Sequence, residues 1–187
     1  MATKGKFLST TGDYKSLIAY QKAECVYDVT YHFAHRFLER GDRTIDQMVQ
    51  AARSGKQNIA EGNAAAATSI ETELKLYNVA RASLQELLID YEDFLRVRGL
   101  VQWDDGDERH IRTRKLCSEH SDSAYYRDIL PTRSAETIAN IALILIKQND
   151  YLLFRLLERL KNDFLQNGGI REEMTRARLA TRDKQKL

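Results

Sequence analysis

Apolar residues recur at helical spacing along most of the chain. The first such stretch runs from Leu17 to Arg40 and carries one apolar face at the i, i+3, i+7 and i+11 positions. That face consists of Val26, Val29, Phe33 and Phe37. Gly41 follows, where a residue with left-handed backbone commonly ends a helix. The pattern predicts a first helix over residues 17–40.

The second stretch, from about Ile45 to Ala66, differs from the first in the size of its buried-side residues. Thr44 and Gln47 have the spacing of a capping box, which predicts the start of a helix. Gly55 and Gly62 lie on the apolar stripe, although glycine inside a helix costs about 1 kcal/mol relative to alanine. We therefore expect the backbone of a neighbouring helix to approach closely here.

Two further long helices are predicted. Thr68-Ser69-Ile70-Glu71 forms a second capping-box pattern and begins a helix that reaches Arg98, before Gly99. The other runs from about Ser134 to Gln166 and stops at a Gly-Gly pair. Between them, residues 100–133 are the least regular part, with a short helix predicted over 107–119.

These elements predict an all-α fold, an up-down-up-down four-helix bundle with an irregular excursion before helix four and a short helical C-terminal tail. The first three helices are joined by one to three residues, which favours antiparallel neighbours. We expect one domain over residues 1–187, with the bundle at 14–169 and a basic tail at 170–187 that begins as helix and then frays. Helix four has apolar residues outside its inward face, which predicts an oligomer. These residues are Ile138, Ile144, Phe154 and Leu157.

Composition supports the prediction of a helical fold and indicates in which cellular compartment to expect the protein. The 187 residues include a single proline, and 30% are charged beside 43% hydrophobic, which argues against a turn-rich β-sandwich and against wholesale disorder. No apolar run approaches the roughly 20 residues of a membrane span, and the N-terminus lacks a signal-peptide pattern. Cys25 and Cys117 suit reduced thiols. We expect a cytoplasmic protein without a membrane partner.

Candidate catalytic chemistry is sparse. No histidine follows a glutamate at the Glu-x-x-His spacing of di-metal bundles, and no phosphate loop, dinucleotide fingerprint or serine elbow is present. A Cys/His zinc site is conceivable only if the excursion folds back onto helix one. It would draw on Cys25, His32, His35, Cys117 and His120. Ordinary histidines and buried thiols are the simpler reading, so we predict no enzyme, cofactor or metal.

Positive charge is concentrated in two places, although the net charge of the chain is only +2. The first is a cluster of four basic residues: Arg109, Arg112, Arg114 and Lys115. The second is the tail from residue 170, with six basic and three acidic residues and a net charge of 6 − 3 = +3. Its candidate contacts are Arg171, Arg176, Arg178 and Arg182. Such patches can bind phosphate backbones through counterion release, or they can simply solvate helix ends.

One segment carries a family resemblance. Its pattern is Ser-x-x-x-Asn-Ile-Ala-Glu-Gly, formed by Ser54, Asn58, Ile59, Ala60, Glu61 and Gly62. It resembles the signature of the bacterial four-helix-bundle proteins encoded in 23S ribosomal RNA intervening sequences. Together with the stretches at 78–84 and 168–174, the chain resembles the related four helix bundle suffix domain group, from about Tyr14 to Arg182.

The resemblance implies a cytoplasmic bundle that assembles into a homopentameric ring. A related protein, the accessory protein of diversity-generating retroelements, is a basic pentamer that binds a reverse transcriptase and nucleic acid. We read the motif as structural, with Gly55 and Gly62 permitting close packing and Asn58 and Glu61 either bonding across helices or capping a neighbour's terminus. Arg53, Lys56 and Arg81 are candidate contacts. The predicted function is a non-enzymatic adaptor associated with RNA, DNA or a polymerase-type partner; the alternative is a purely protein-binding scaffold of a defence or mobile-element system.

Overall fold

The computed structural model describes residues 13–184, and every regular element in that range is a helix, as predicted. There are seven α-helices: α1 Ile18–Phe37, α2 Thr44–Ala65, α3 Ile70–Val97, α4 Glu108–Glu119, α5 Ser123–Ile129, α6 Ala135–Asn167 and α7 Ile170–Lys184. Two single 3-10 turns, Tyr14–Ser16 and Leu130–Thr132, precede α1 and α6.

The starts of α2 and α3 differ from the predicted capping boxes. α2 already includes Thr44, whose backbone N–H donates to the Asp42 carboxylate at 2.8 Å, so aspartate supplies the cap. α3 is capped by Ser69, whose hydroxyl accepts from the Thr72 N–H at 3.2 Å. Either hydroxyl of the Thr68-Ser69 pair could serve as the N-cap of α3. Ser69 is the residue with the extended backbone that an N-cap requires (φ −157°, ψ 109°).

The four long helices contact one another in a closed cycle, in which α1 packs on α2, α2 on α3, α3 on α6 and α6 on α1. Aromatic rings fill the space between α1 and α3. The Phe33 ring lies 4.9 Å from that of Tyr91 and 4.6 Å from that of Phe94, measured between centroids. The buried Tyr91 hydroxyl donates to Thr30 Oγ1 at 3.0 Å, so the polar end of this ring is satisfied inside the core.

The excursion between α3 and α6 is more regular than predicted. It contains α5 as well as the expected α4, and it packs back onto the long helices, α4 on α6 and α5 on α1. The amide of Asn140 fixes its beginning, because Oδ1 accepts from Trp103 N at 2.8 Å and Nδ2 donates to Val101 O at 2.9 Å. This polar residue therefore interrupts the apolar run of α6 in order to hold residues 101–103.

This packing changes the interpretation of helix four, which is α6. Ile138, Ile144 and Leu157 are buried within the chain itself, and only Phe154, 43% exposed, remains on the surface. Those three residues therefore need no second copy to cover them, while Tyr151, Phe164 and Leu165 are further exposed apolar residues of α6. Among residues 13–184, no helix combines the length and apolarity that crossing a bilayer demands.

Candidate nucleic-acid interface

The two motif glycines in α2 lie beneath side chains of α3. A Cβ placed on Gly55 would come within 2.8 Å of Leu84 Cδ2, and one on Gly62 within 2.7 Å of Tyr77 Cε1. Both distances are below van der Waals contact. The expected close approach therefore exists, but the neighbour is a pair of fully buried side chains rather than the backbone of another helix.

The polar motif residues have different roles from those expected. Ser54 Oγ lies 2.9 Å from Ser83 Oγ, so serine makes the hydrogen bond between α2 and α3. Asn58 donates to Ser54 O at 2.8 Å within its own helix. Glu61 is exposed and makes no hydrogen bond or ion pair among the described residues. With Ile59 fully buried and Ala60 partly buried, these contacts are those of a helix-packing segment.

The three candidate cations near the motif differ in how accessible they are. Arg53 is exposed on α2. The Lys56 ammonium lies 4.0 Å from Glu24 Oε1. Arg81 is bound to Asp150 of α6 through two hydrogen bonds of 2.7 and 3.1 Å, and these bonds raise its pKa. Arg81 therefore joins α3 to α6, and Arg53 is the most available of the three.

The basic cluster predicted at residues 109–115 lies on α4. Arg109, Arg112 and Lys115 follow one another at i, i+3 and i+6, which places them on one side of the helix. Arg109 is largely neutralised, because it contacts Asp107 Oδ2 at 2.7 Å and Glu136 Oε1 at 3.4 Å. The bond from Arg109 also lowers the pKa of Asp107.

The other α4 cations remain open to solvent. Arg112 is exposed, and Lys115 is exposed with its ammonium 4.0 Å from Glu119 Oε1. Arg114 is also exposed, and both Arg114 and Lys115 line the groove described below. Of the four cations that are neighbours in the sequence, Arg109 and Arg112 do not line it.

A buried lysine anchors the C-terminal end of α4. Lys22 is 2% exposed, and its ammonium donates to Cys117 O and to His120 O, the latter at 2.7 Å. A cation is favourable at a helix C-terminus, where carbonyl groups lack intrahelical partners. Burial lowers the pKa of Lys22. Sequence reasoning missed this contact, although the signal was available: Lys22 lies four residues before Val26, on the apolar face of α1.

The same contact changes the surroundings of the two cysteines considered for a zinc site. The excursion does fold back onto α1, but it brings the Lys22 ammonium beside Cys25 and Cys117, and a cation there disfavours a metal ion. Burial raises the pKa of Cys25 to about 12 and that of Cys117 to about 11, so both stay protonated. Within residues 13–184, no group of three or more His, Cys, Asp or Glu side chains is arranged to hold a metal ion.

A groove of about 920 Å³ lies between α1, α4 and α6. Its apolar residues include Ile18, Ile111 and Tyr151, and its cations include Arg114, Lys115 and Lys147. A second cavity, of about 690 Å³, lies between α1 and α5. There Arg127 contacts Asp28 Oδ2 at 3.1 Å and Ser123 donates to the same carboxylate.

The basic tail forms α7, as predicted, and the helix reaches Lys184 rather than fraying at residue 182. Gly169 N donates to Glu172 Oε2 at 2.7 Å just before its first residue. Arg176, Arg178 and Arg182 are exposed. The candidate side chain of Arg171 and the last three residues lie outside what the structure describes.

Comparison of the chain with protein-family models, with curated proteins and with solved structures finds no match.

Proposed function

We propose that this protein is a non-enzymatic adaptor whose long helices form an up-down-up-down four-helix bundle. It acts in the cytoplasm as a homo-oligomer, a pentamer by the resemblance above. It binds RNA or DNA, or a polymerase-type protein such as a reverse transcriptase, through its basic surface. The observation that carries this proposal is the side of α4 on which Arg112 and Lys115 are solvent-exposed one helical turn apart.

The spacing of these cations suits a phosphate backbone. Residues three apart on a helix lie about 5–6 Å from one another at Cβ, so long basic side chains can reach successive phosphates. A single such side binds weakly, but copies around an oligomer would multiply the number of phosphate contacts. Arg53 on α2 and the exposed arginines of α7 add further cations to each copy. The small net charge of the chain does not oppose this, because binding depends on local charge.

Binding to single- and double-stranded RNA and DNA should be measured by fluorescence anisotropy over a salt series starting near 50 mM. The expected result is an affinity that falls as salt rises. Arg112→Ala should reduce the salt slope by about one. Arg159→Ala, which removes an exposed arginine of α6 paired with Asp163, is the matched control and should leave the slope unchanged.

Absence of binding at low salt, or binding that salt does not weaken, would refute the nucleic-acid part of the proposal. Salt-insensitive binding to a protein partner would instead favour the scaffold alternative. Light scattering at micromolar concentration tests assembly separately, and the expected mass is several times the 21.6 kDa of one chain.

A further inference from the structure

The groove between α1, α4 and α6 combines an apolar floor with a basic edge. Ile18, Ile111 and Tyr151 are 55%, 56% and 58% exposed, so three large apolar side chains face solvent within one concave surface. Arg114, Lys115 and Lys147 surround them. Buried Lys22 adds positive charge from below, and Asp105, which contacts His110 at 3.4 Å, is the single acidic lining residue.

The exposure of these apolar side chains indicates what kind of molecule would occupy the groove. Small-molecule sites are mostly enclosed and bury roughly 70–90% of a drug-sized ligand, whereas this groove leaves three apolar side chains more than half exposed. A phosphate backbone makes polar and ionic contacts and would not cover the exposed side chains of Ile18 and Ile111. A protein surface with apolar residues flanked by acidic ones satisfies both parts of the groove.

The outer side of α3 has that composition. Positions 86, 89, 90, 93 and 97 follow the i, i+3, i+4, i+7, i+11 pattern of one helix face, which we call the acidic stripe. It consists of Glu86, Ile89, Asp90, Asp93 and Val97. Ile89 and Val97 are 50% and 69% exposed. Of the acids, Asp93 pairs with Arg96 at 2.7 Å in an exposed contact.

The charge on this stripe is only partly compensated within the chain. Burial, then Asp93 and Glu86, raise the pKa of Asp90, as expected where carboxylates crowd together. No residue of the stripe lines the groove. One chain therefore presents three acids with two exposed apolar residues on α3, and three cations with three exposed apolar residues on a different surface.

We infer that the groove of one copy receives the acidic stripe of a second copy. The inference rests on the proposed homo-oligomer and names the two surfaces that would build it. Because the surfaces differ, the contact is head-to-tail, so each copy keeps a free stripe and a free groove until the assembly closes into a ring. Complementary charge fixes the pairing, and the apolar residues supply the buried area.

Paired charge reversal tests this assignment. Glu86→Lys with Asp90→Lys reverses the stripe, Arg114→Glu with Lys147→Glu reverses the groove, and a fourfold variant combines them. Glu158→Lys with Asp163→Lys, and Arg159→Glu with Lys161→Glu, are controls with the same charge changes on exposed pairs of α6 outside both surfaces. Mass is measured by light scattering over a concentration series, and folding by circular dichroism.

Each surface reversal should weaken assembly by about tenfold or more in dissociation constant while the chain stays folded. The fourfold variant should assemble again, and both controls should match the wild-type protein. An oligomer that tolerates both reversals refutes the inference and leaves the proposed oligomer standing. A wild-type monomer refutes the oligomer and the inference together. Loss of nucleic-acid binding by the groove reversal without loss of assembly assigns the groove to nucleic acid and also refutes the inference.

Discussion

The distances between Gly62 and Tyr77 allow the stability effect of Gly62→Ala to be worked out. An alanine Cβ at position 62 would lie 2.7, 2.9 and 3.3 Å from three atoms of the Tyr77 ring. The ring is only 1% exposed, so it has little freedom to move away. Overpacking of this severity costs about 3 kcal/mol, the upper end of the usual range.

Helix propensity acts in the opposite direction. Replacing glycine by alanine in a helix interior gains about 1 kcal/mol, so Gly62→Ala should destabilise the protein by about 2 kcal/mol net. For a chain of this size that lowers Tm by roughly 4–8 °C. Gly55→Ala should cost a similar amount, since its Cβ would lie 2.8 Å from Leu84 Cδ2 and 2.9 Å from Cγ, in a side chain that is also fully buried.

Urea unfolding followed by circular dichroism, at one fixed protein concentration, measures these changes. Ala82→Gly, at an exposed interior position of α3, calibrates the propensity term and should destabilise by about 1 kcal/mol. Gly62→Ala should be milder in a Tyr77→Leu background, where the ring is absent. If Gly62→Ala equals or exceeds the wild-type stability, the close contact between α2 and α3 is wrong.

Three other predictions follow from buried or interhelical groups. Lys22→Met should destabilise by about 1–3 kcal/mol, because it leaves the α4 carbonyls without a donor; unfolding in urea measures this, and an unchanged midpoint would contradict the anchor. Cys25 and Cys117 should resist alkylation at pH 8 in the native protein, because burial raises both pKa values and suppresses the thiolate; mass spectrometry should show rapid labelling only after unfolding, and rapid native labelling would contradict their burial. Arg81→Ala should lower stability by about 0.2–1 kcal/mol through loss of the Asp150 bonds while nucleic-acid affinity stays unchanged; a reduced salt slope would show that Arg81 contacts phosphate instead.

The long helices could be predicted because their signals are local. Apolar periodicity predicted the central residues of these helices, and glycine predicted their ends. The glycines at 41, 99 and 168 all adopt positive φ, at 93°, 63° and 76°. α1 nevertheless ends three residues earlier than predicted, at Phe37, since Leu38 turns to extended backbone and buries its side chain. Tertiary packing decided that end, and periodicity carries no information about it.

The remaining features depend on contacts between distant residues. α5 has only seven residues, too few for a periodic pattern, and its stability comes from packing on α1. Arg81 and Asp150 are 69 positions apart, so nothing in the local sequence distinguishes Arg81 from a free surface cation. Which of the α4 cations line the groove, Arg114 and Lys115, likewise depends on the position of α6.

The charged residues of α3 and of the groove support self-association better than the apolar residues of α6 do. An apolar residue can be covered by any nearby element, and Ile138 and Ile144 of α6 are buried within the chain itself. Separated charge is harder to satisfy within one rigid chain, because helix packing holds the acids of α3 and the cations of the groove on different surfaces. In the proposed assembly a second copy would bring them together, so this separation of charge supports self-association more directly than the apolar residues of α6 do.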